Sequence, residues 1–109
     1  MANELILLIE DNLVNRTLIR DVLNFKGYQT LEAASAEEGI KLAVEKKPAL
    51  VLMDFQLPGM NGIDAFHVLR ADATTQAIPI IAVTKKAQIV SGNLVIDIPF
   101  VLKLITVTT

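Results

Sequence analysis

The sequence predicts an α/β domain built on a doubly wound parallel sheet, and three observations carry that expectation. Short apolar runs alternate with stretches of helical period, as in consecutive β-α units. The first run, LILLI at 5–9, is apolar at every position, as befits a strand covered on both faces. A later run, VLM at 51–53, ends abruptly in Asp54 and a Pro-Gly turn, the pattern of a buried strand that delivers an acid to the mouth of a sheet.

Each element has its own local reason. After the first strand, apolar residues recur at Val14, Leu18 and Val22 and at Ile19 and Leu23, a spacing of four that fits an amphipathic helix closed by Gly27. YQTLEA at 28–33 reads as the second strand. Ser35 and Glu38 stand in capping-box spacing at the start of a second helix. That helix places Ile40, Ala43 and Val44 on one face, and Lys46 and Lys47 suit its C-terminal end before Pro48 stops it. Residues 49–53 form a third strand, 62–70 a shorter third helix, and 78–83 a fourth strand with Pro79 near its start.

Composition sets the limits. The 109 residues, 52% of them hydrophobic, are the size of one domain with one core, so 1–109 is read as a single unit. The absence of Cys removes disulfides and thiolate metal ligands. A formal charge of −2 argues against a surface built for nucleic acid. The N-terminal apolar run is too short for a membrane span and reaches acids where a signal peptide needs small residues, so no membrane segment and a cytoplasmic location are expected.

The chemistry lies at the strand ends: Glu10-Asp11 after the first strand, Asp54 after the third, Thr84 after the fourth. In an open parallel sheet these ends share one edge, where ligands bind. Carboxylates brought together there repel one another, and a hard divalent cation relieves the repulsion, so a Mg²⁺ site is expected. Neither G-x-x-x-x-G-K-[ST] nor G-x-G-x-x-G is present to hold a nucleotide. Each acid taken singly is equally a solvated loop residue or a helix cap, and Thr84 a strand-end hydroxyl. His67, the only histidine, has no second ligand at metal spacing and reads as structural or solvated.

IEDN, LMDFQLPGMNG and IPIIAVT together resemble the receiver domain of two-component response regulators, the CheY-like family, over residues 4–84. The resemblance implies a flavodoxin-like sheet of strand order 2-1-3-4-5. It also implies phosphorylation on aspartate by a histidine kinase or phosphotransfer protein, making the chain a signalling domain and not an enzyme. Position by position, Asp54 is similar to the phosphoacceptor, Asp11 to the main Mg²⁺ carboxylate and Glu10 to its partner in the acid pair, acting indirectly. Gln56 matches the position whose backbone carbonyl completes the metal shell, and Thr84 resembles the hydroxyl that moves toward the phosphoryl group.

The resemblance stops after Thr84. Residues 85–109 are too few for a helix, a strand and a helix of ordinary length, and this tail lacks the family's Lys-Pro pair. Lys103 is the nearest candidate for the missing Lys, though inside an apolar run and followed by Leu104; Lys85 and Lys86 stand where the family commonly has small residues, to perturb Thr84 or to supply a substitute cation. Ser91-Gly92 is a hairpin signal between two β-rich runs, so the tail reads as strands, and an unpaired edge there is expected to drive self-association through 87–109. Two other readings stand beside the phospho-accepting receiver: a degenerate receiver-like binding module that takes no phosphate, and a phosphatase using Asp54 as nucleophile. The latter lacks a second carboxylate at Gln56.

Overall fold

A computed structural model of the chain describes residues 4–54, 57–84, 88–90 and 93–97. The expected alternation appears as β1 (Leu5–Ile9), α1 (Leu13–Phe25), β2 (Gln29–Ala33), α2 (Ala36–Lys46), β3 (Leu50–Asp54), α3 (Gly62–Ala71) and β4 (Ile80–Thr84). Two further strands come next, β5 (Gln88–Val90) and β6 (Asn93–Asp97). The sheet order is β2-β1-β3-β4-β6-β5, parallel from β2 to β6, with β5 antiparallel to β6. The order 2-1-3-4 is thus as expected. The fifth position is filled by β6, and β5 adds an antiparallel edge strand. Val90 is opposite Asn93, a register that leaves only Ser91 and Gly92 to join the two strands, as the hairpin signal requires. Ser91, Gly92, Lys85, Lys86 and Lys103 lie outside the described residues, as does most of the 87–109 segment expected to self-associate.

Alternation along the strands divides the core between two faces. Leu7, Ile9, Ala33, Val51 and Met53 point to one side, where Ala36 and Ala43 of α2 and Ala65 and Leu69 of α3 cover them. Ile6, Leu8 and Leu52 point to the other, against Ile19 and Leu23 of α1. Both faces of β1 and β3 are covered, which is why those two strands read as apolar runs; each fully buried Leu or Ile contributes roughly 1.5–3 kcal/mol.

The helix ends are made by the residues expected to make them, and by some that were not. The Ser35 hydroxyl accepts from the Glu38 N–H at 3.2 Å while the Glu38 carboxylate reaches back to accept from the Ala34 N–H at 3.1 Å, a capping box whose return bond falls on the residue before the cap. Asn12 and Asn61 cap α1 and α3 in the same manner, their side chains accepting from Asn15 and Asp64 N–H at 2.9 Å. Gly27 follows α1 at φ 94°, open to it because it has no Cβ. At the end of α2 it is Lys47 that takes the left-handed conformation, φ 47°, since Pro48 bars it from continuing the helix.

Two expected faces are displaced. Of the α1 stripes only Ile19 and Leu23 are buried; Val14 and Leu18 are exposed. In α2 the buried line is Ala36, Gly39 and Ala43, Ile40 is partly buried, and Val44 faces outward. The cause in α2 is close approach: a Cβ built at Gly39 would overlap the side chain of Ile9, which is wholly buried. We therefore expect Gly39→Ala to lose stability, because overpacking at about 1–3 kcal/mol outweighs the gain of up to about 1 kcal/mol in helix propensity. A fall of several degrees in melting temperature checks this; an equal or higher value would show that Ile9 yields without cost.

Candidate functional site

The site is assembled by register. Ile9 is opposite Met53, so Glu10 comes directly beside Asp54, the last residue of β3. Asp54 is in turn opposite Val83, which sets the backbone of Thr84 at the same edge of the sheet. Of Thr84 only the backbone is described, and Gln56 lies outside the described residues. One oxygen from each of Glu10, Asp11 and Asp54 lies within 4.8 Å of the others, the carboxylate cluster expected from the strand ends. Their exposures differ: Glu10 is buried, Asp54 half-buried and Asp11 exposed. His67, on the exposed side of α3, stacks edge-on against Phe66 and takes no part.

Local hydrogen bonds shape the turn that carries the acid pair. The Glu10 N–H donates to the Ala33 carbonyl at 3.0 Å, and the Asn12 N–H donates to Glu10 Oε2 at 3.0 Å. Glu10 Oε1 is buried with no hydrogen-bond partner among the described residues. A buried carboxylate oxygen without a donor is costly, and two further carboxylates beside it add repulsion. Burial, followed by the charges of Asp54 and Asp11, pushes the Glu10 carboxyl up to about 7, with the Asn12 N–H acting in the opposite direction. Three carboxylates converging beside the unpartnered Glu10 Oε1 fit a hard divalent cation of the Mg²⁺ class.

A raised carboxyl pKa in the fold gives stability that is fully present below the unfolded value of 4.5 and is lost as pH rises through about 7. The metal-free protein is therefore expected to weaken by of order 2–3 kcal/mol between pH 4.5 and 7.5. Glu10→Gln should flatten that slope. Urea titrations across this range, made in a chelator, provide the measurement; an equal slope in both proteins would assign it to other groups.

Two residues of this corner carry no motif in the sequence. Arg16 of α1 donates through Nη1 to the Glu10 carbonyl at 2.8 Å and through Nε to Glu32 Oε1 of β2 at 3.0 Å. A signal was there to find. Arg16 sits near the N-terminal end of a helix with no acid in its first turn, where a cation is disfavoured unless it has partners elsewhere.

Among the described residues, no helix is long and apolar enough to cross a membrane. Similarity to known proteins runs along the same lines as the geometry. Over 79 residues the chain is 40% identical to the polar-differentiation response regulator DivK of Brucella ovis and of Brucella abortus, a match that takes in 72% of this chain. It spans 64% of the length of those relatives. Among solved structures it superposes on the receiver domain of a sensor histidine kinase from Pseudomonas aeruginosa with a TM-score of 0.75 and 35% identity, covering 78% of this chain and 70% of that one. That crystal structure has a magnesium ion coordinated in the active site cleft. The N-terminal domain of a response regulator receiver protein from Methanoculleus marisnigri gives 0.76 and 27%, over 78% and 69%. The profile of the response regulator receiver domain matches residues 6–99, past the point where the sequence motifs end, and with the sheet order and the strand-end acids in place the chain belongs to that family.

Proposed function

We propose that this chain is a phospho-accepting receiver of two-component signalling, in which Asp54 takes a phosphoryl group from a phosphohistidine on a histidine kinase or phosphotransfer protein. The observation that carries the reading is the convergence of Glu10, Asp11 and Asp54 within 4.8 Å around a buried oxygen that lacks a donor among the described residues. A carboxylate cluster of this kind serves no packing purpose, and its repulsion is relieved only when a cation or a proton arrives.

In this reading Asp11 and Asp54 supply carboxylates to Mg²⁺, the Gln56 backbone carbonyl completes the protein's share, and Glu10 acts from behind. Bound there, Mg²⁺ supplies positive charge to the carboxylates and to the oxygens of an incoming phosphoryl group. An Asp54 oxygen attacks phosphorus in line; the new O–P bond forms as the P–N bond of the donor breaks, and the imidazole nitrogen keeps that bonding pair. β3 fixes where Asp54 stands, so the chain contributes alignment and electrostatics in place of acid-base chemistry. Thr84, at the adjacent end of β4, is the hydroxyl proposed to respond to the modified Asp54.

The test is intact-mass and peptide mass spectrometry after exposure to acetyl phosphate. One phosphoryl group is expected on Asp54 with Mg²⁺ present, and none in the presence of a chelator. Failure to take phosphate from either a small donor or a phosphorylated kinase would favour the degenerate binding module, and rapid multiple turnover the phosphatase.

A further inference from the structure

We propose that Arg16 is a positioning residue for the acid pair, holding the Glu10 peptide so that Asp11 presents its carboxylate to the cation with Glu10 behind it; this rests on the metal-dependent receiver reading above. The geometry is that of a clamp. Glu10 is held on its N–H side by the Ala33 carbonyl at 3.0 Å and on its carbonyl side by Arg16 Nη1 at 2.8 Å. Arg16 is itself held by Glu32 Oε1 at 3.0 Å, and Glu32 and Ala33 are neighbours on β2. A strand that contributes no carboxylate to the cluster therefore sets the attitude of the turn that does, through one guanidinium.

The planar fork is what suits Arg to this place. Its Nε and Nη1 address two acceptors at once in fixed relative directions, whereas an ammonium is a point donor on a flexible stem. The side chain is 17% exposed, enough shielding for the two bonds to be held against water. Asn12 ties down the far side of the turn, donating its N–H to Glu10 Oε2 and accepting the Asn15 N–H on its own side chain. With Arg16 removed, the Glu10 carbonyl loses its only described side-chain donor, and the peptide between Glu10 and Asp11 is held less firmly, by the Ala33 and Asn12 bonds alone. Asp11, exposed and otherwise unconstrained by the core, turns with it.

The sign of the effect separates positioning from plain charge. Arg16 is cationic, so deleting its charge strengthens attraction of a second cation to the site; loss of orientation weakens it. Outer residues that orient metal ligands are typically worth roughly 10–100-fold in affinity. Calorimetric titration of the full chain with Mg²⁺ alone is expected to show roughly 10–100-fold weaker binding in Arg16→Gln. The loss should be smaller in Glu32→Gln, and smaller in Arg16→Lys than in Arg16→Gln. Arg20→Gln serves as control: Arg20 approaches Glu32 at 3.5 Å and Asp21 at 3.1 Å without touching Glu10, and binding should be unchanged. In the metal-free proteins, amide resonances of Asp11 and Asn12 should move in Arg16→Gln and stay in Arg20→Gln. Should Arg16→Gln fail to fold by circular dichroism, Arg16→Lys and Glu32→Gln decide the matter by the same titration. Unchanged or tighter Mg²⁺ binding in folded Arg16 variants overturns the inference and leaves the receiver reading standing. A wild-type chain that binds no Mg²⁺ and takes no phosphate overturns both.

Discussion

Asp54→Asn should leave a folded protein that no longer takes up phosphate from acetyl phosphate under conditions where the wild type is labelled. The loss is expected to be complete, because the amide has no anionic oxygen to attack phosphorus and neither neighbouring acid is placed to replace it. Glu10 is buried beneath the cluster, and Asp11 is on a turn and not at the end of a buried strand. Positioning of a bound donor and neutralisation of its charge can each remove several kcal/mol from the barrier, but only for the oxygen that stands in line. The fold should not suffer. The amide keeps the shape of the half-buried side chain and removes one of the charges that push the Glu10 carboxyl up, so the metal-free variant should stay folded. Intact-mass spectra give the labelling and urea titrations the stability. Equal labelling of Asp54→Asn would move the phosphoacceptor elsewhere.

Mg²⁺ should raise the stability of the wild-type chain by about 2.7 kcal/mol at about 100 times its Kd, and Asp11→Ala should abolish the increment. The reasoning is linkage: the cation finds three converging carboxylates in the native state and no such cluster in the unfolded chain. For a domain of this length that increment corresponds to a rise of roughly 10 °C in melting temperature. Without metal the order reverses, since Asp11→Ala removes one of the charges that push the Glu10 carboxyl up and should cost little or nothing. Thermal melts at graded Mg²⁺ decide it: the same slope in wild type and Asp11→Ala would place the cation away from this cluster.

The two expectations draw on different parts of the molecule. Phosphate uptake depends on the in-line stance of one side chain at the end of β3. Mg²⁺ stabilisation depends on the turn between β1 and α1, where Asn12, Arg16 and Glu32 fix the acid pair. A substitution in the second group that weakens the cation site leaves Asp54 where it is, so phosphate uptake lost with it should return at saturating Mg²⁺, whereas uptake lost in Asp54→Asn should not.

The alternation of strands and helices, the acids at the strand ends and the Ser35–Glu38 capping box were all legible in the sequence. Each depends on contacts between residues near in the chain, or on burial that applies to a whole element. The hairpin of β5 and β6 was legible for the same reason, because a two-residue turn sets its own register. What the tertiary structure alone decided was which copy of a repeated pattern faces inward and who meets whom across the sheet. Period four in α1 offered Val14-Leu18 and Ile19-Leu23 alike, and only docking on Ile6, Leu8 and Leu52 chose the second. Nothing local marks Gly39 as a point of close approach; the seating of α2 over Ile9 makes it one. Arg16 and Glu32 are 16 residues apart, and their meeting over the Glu10 carbonyl results from the parallel pairing of β1 with β2, a long-range constraint that no local spacing encodes.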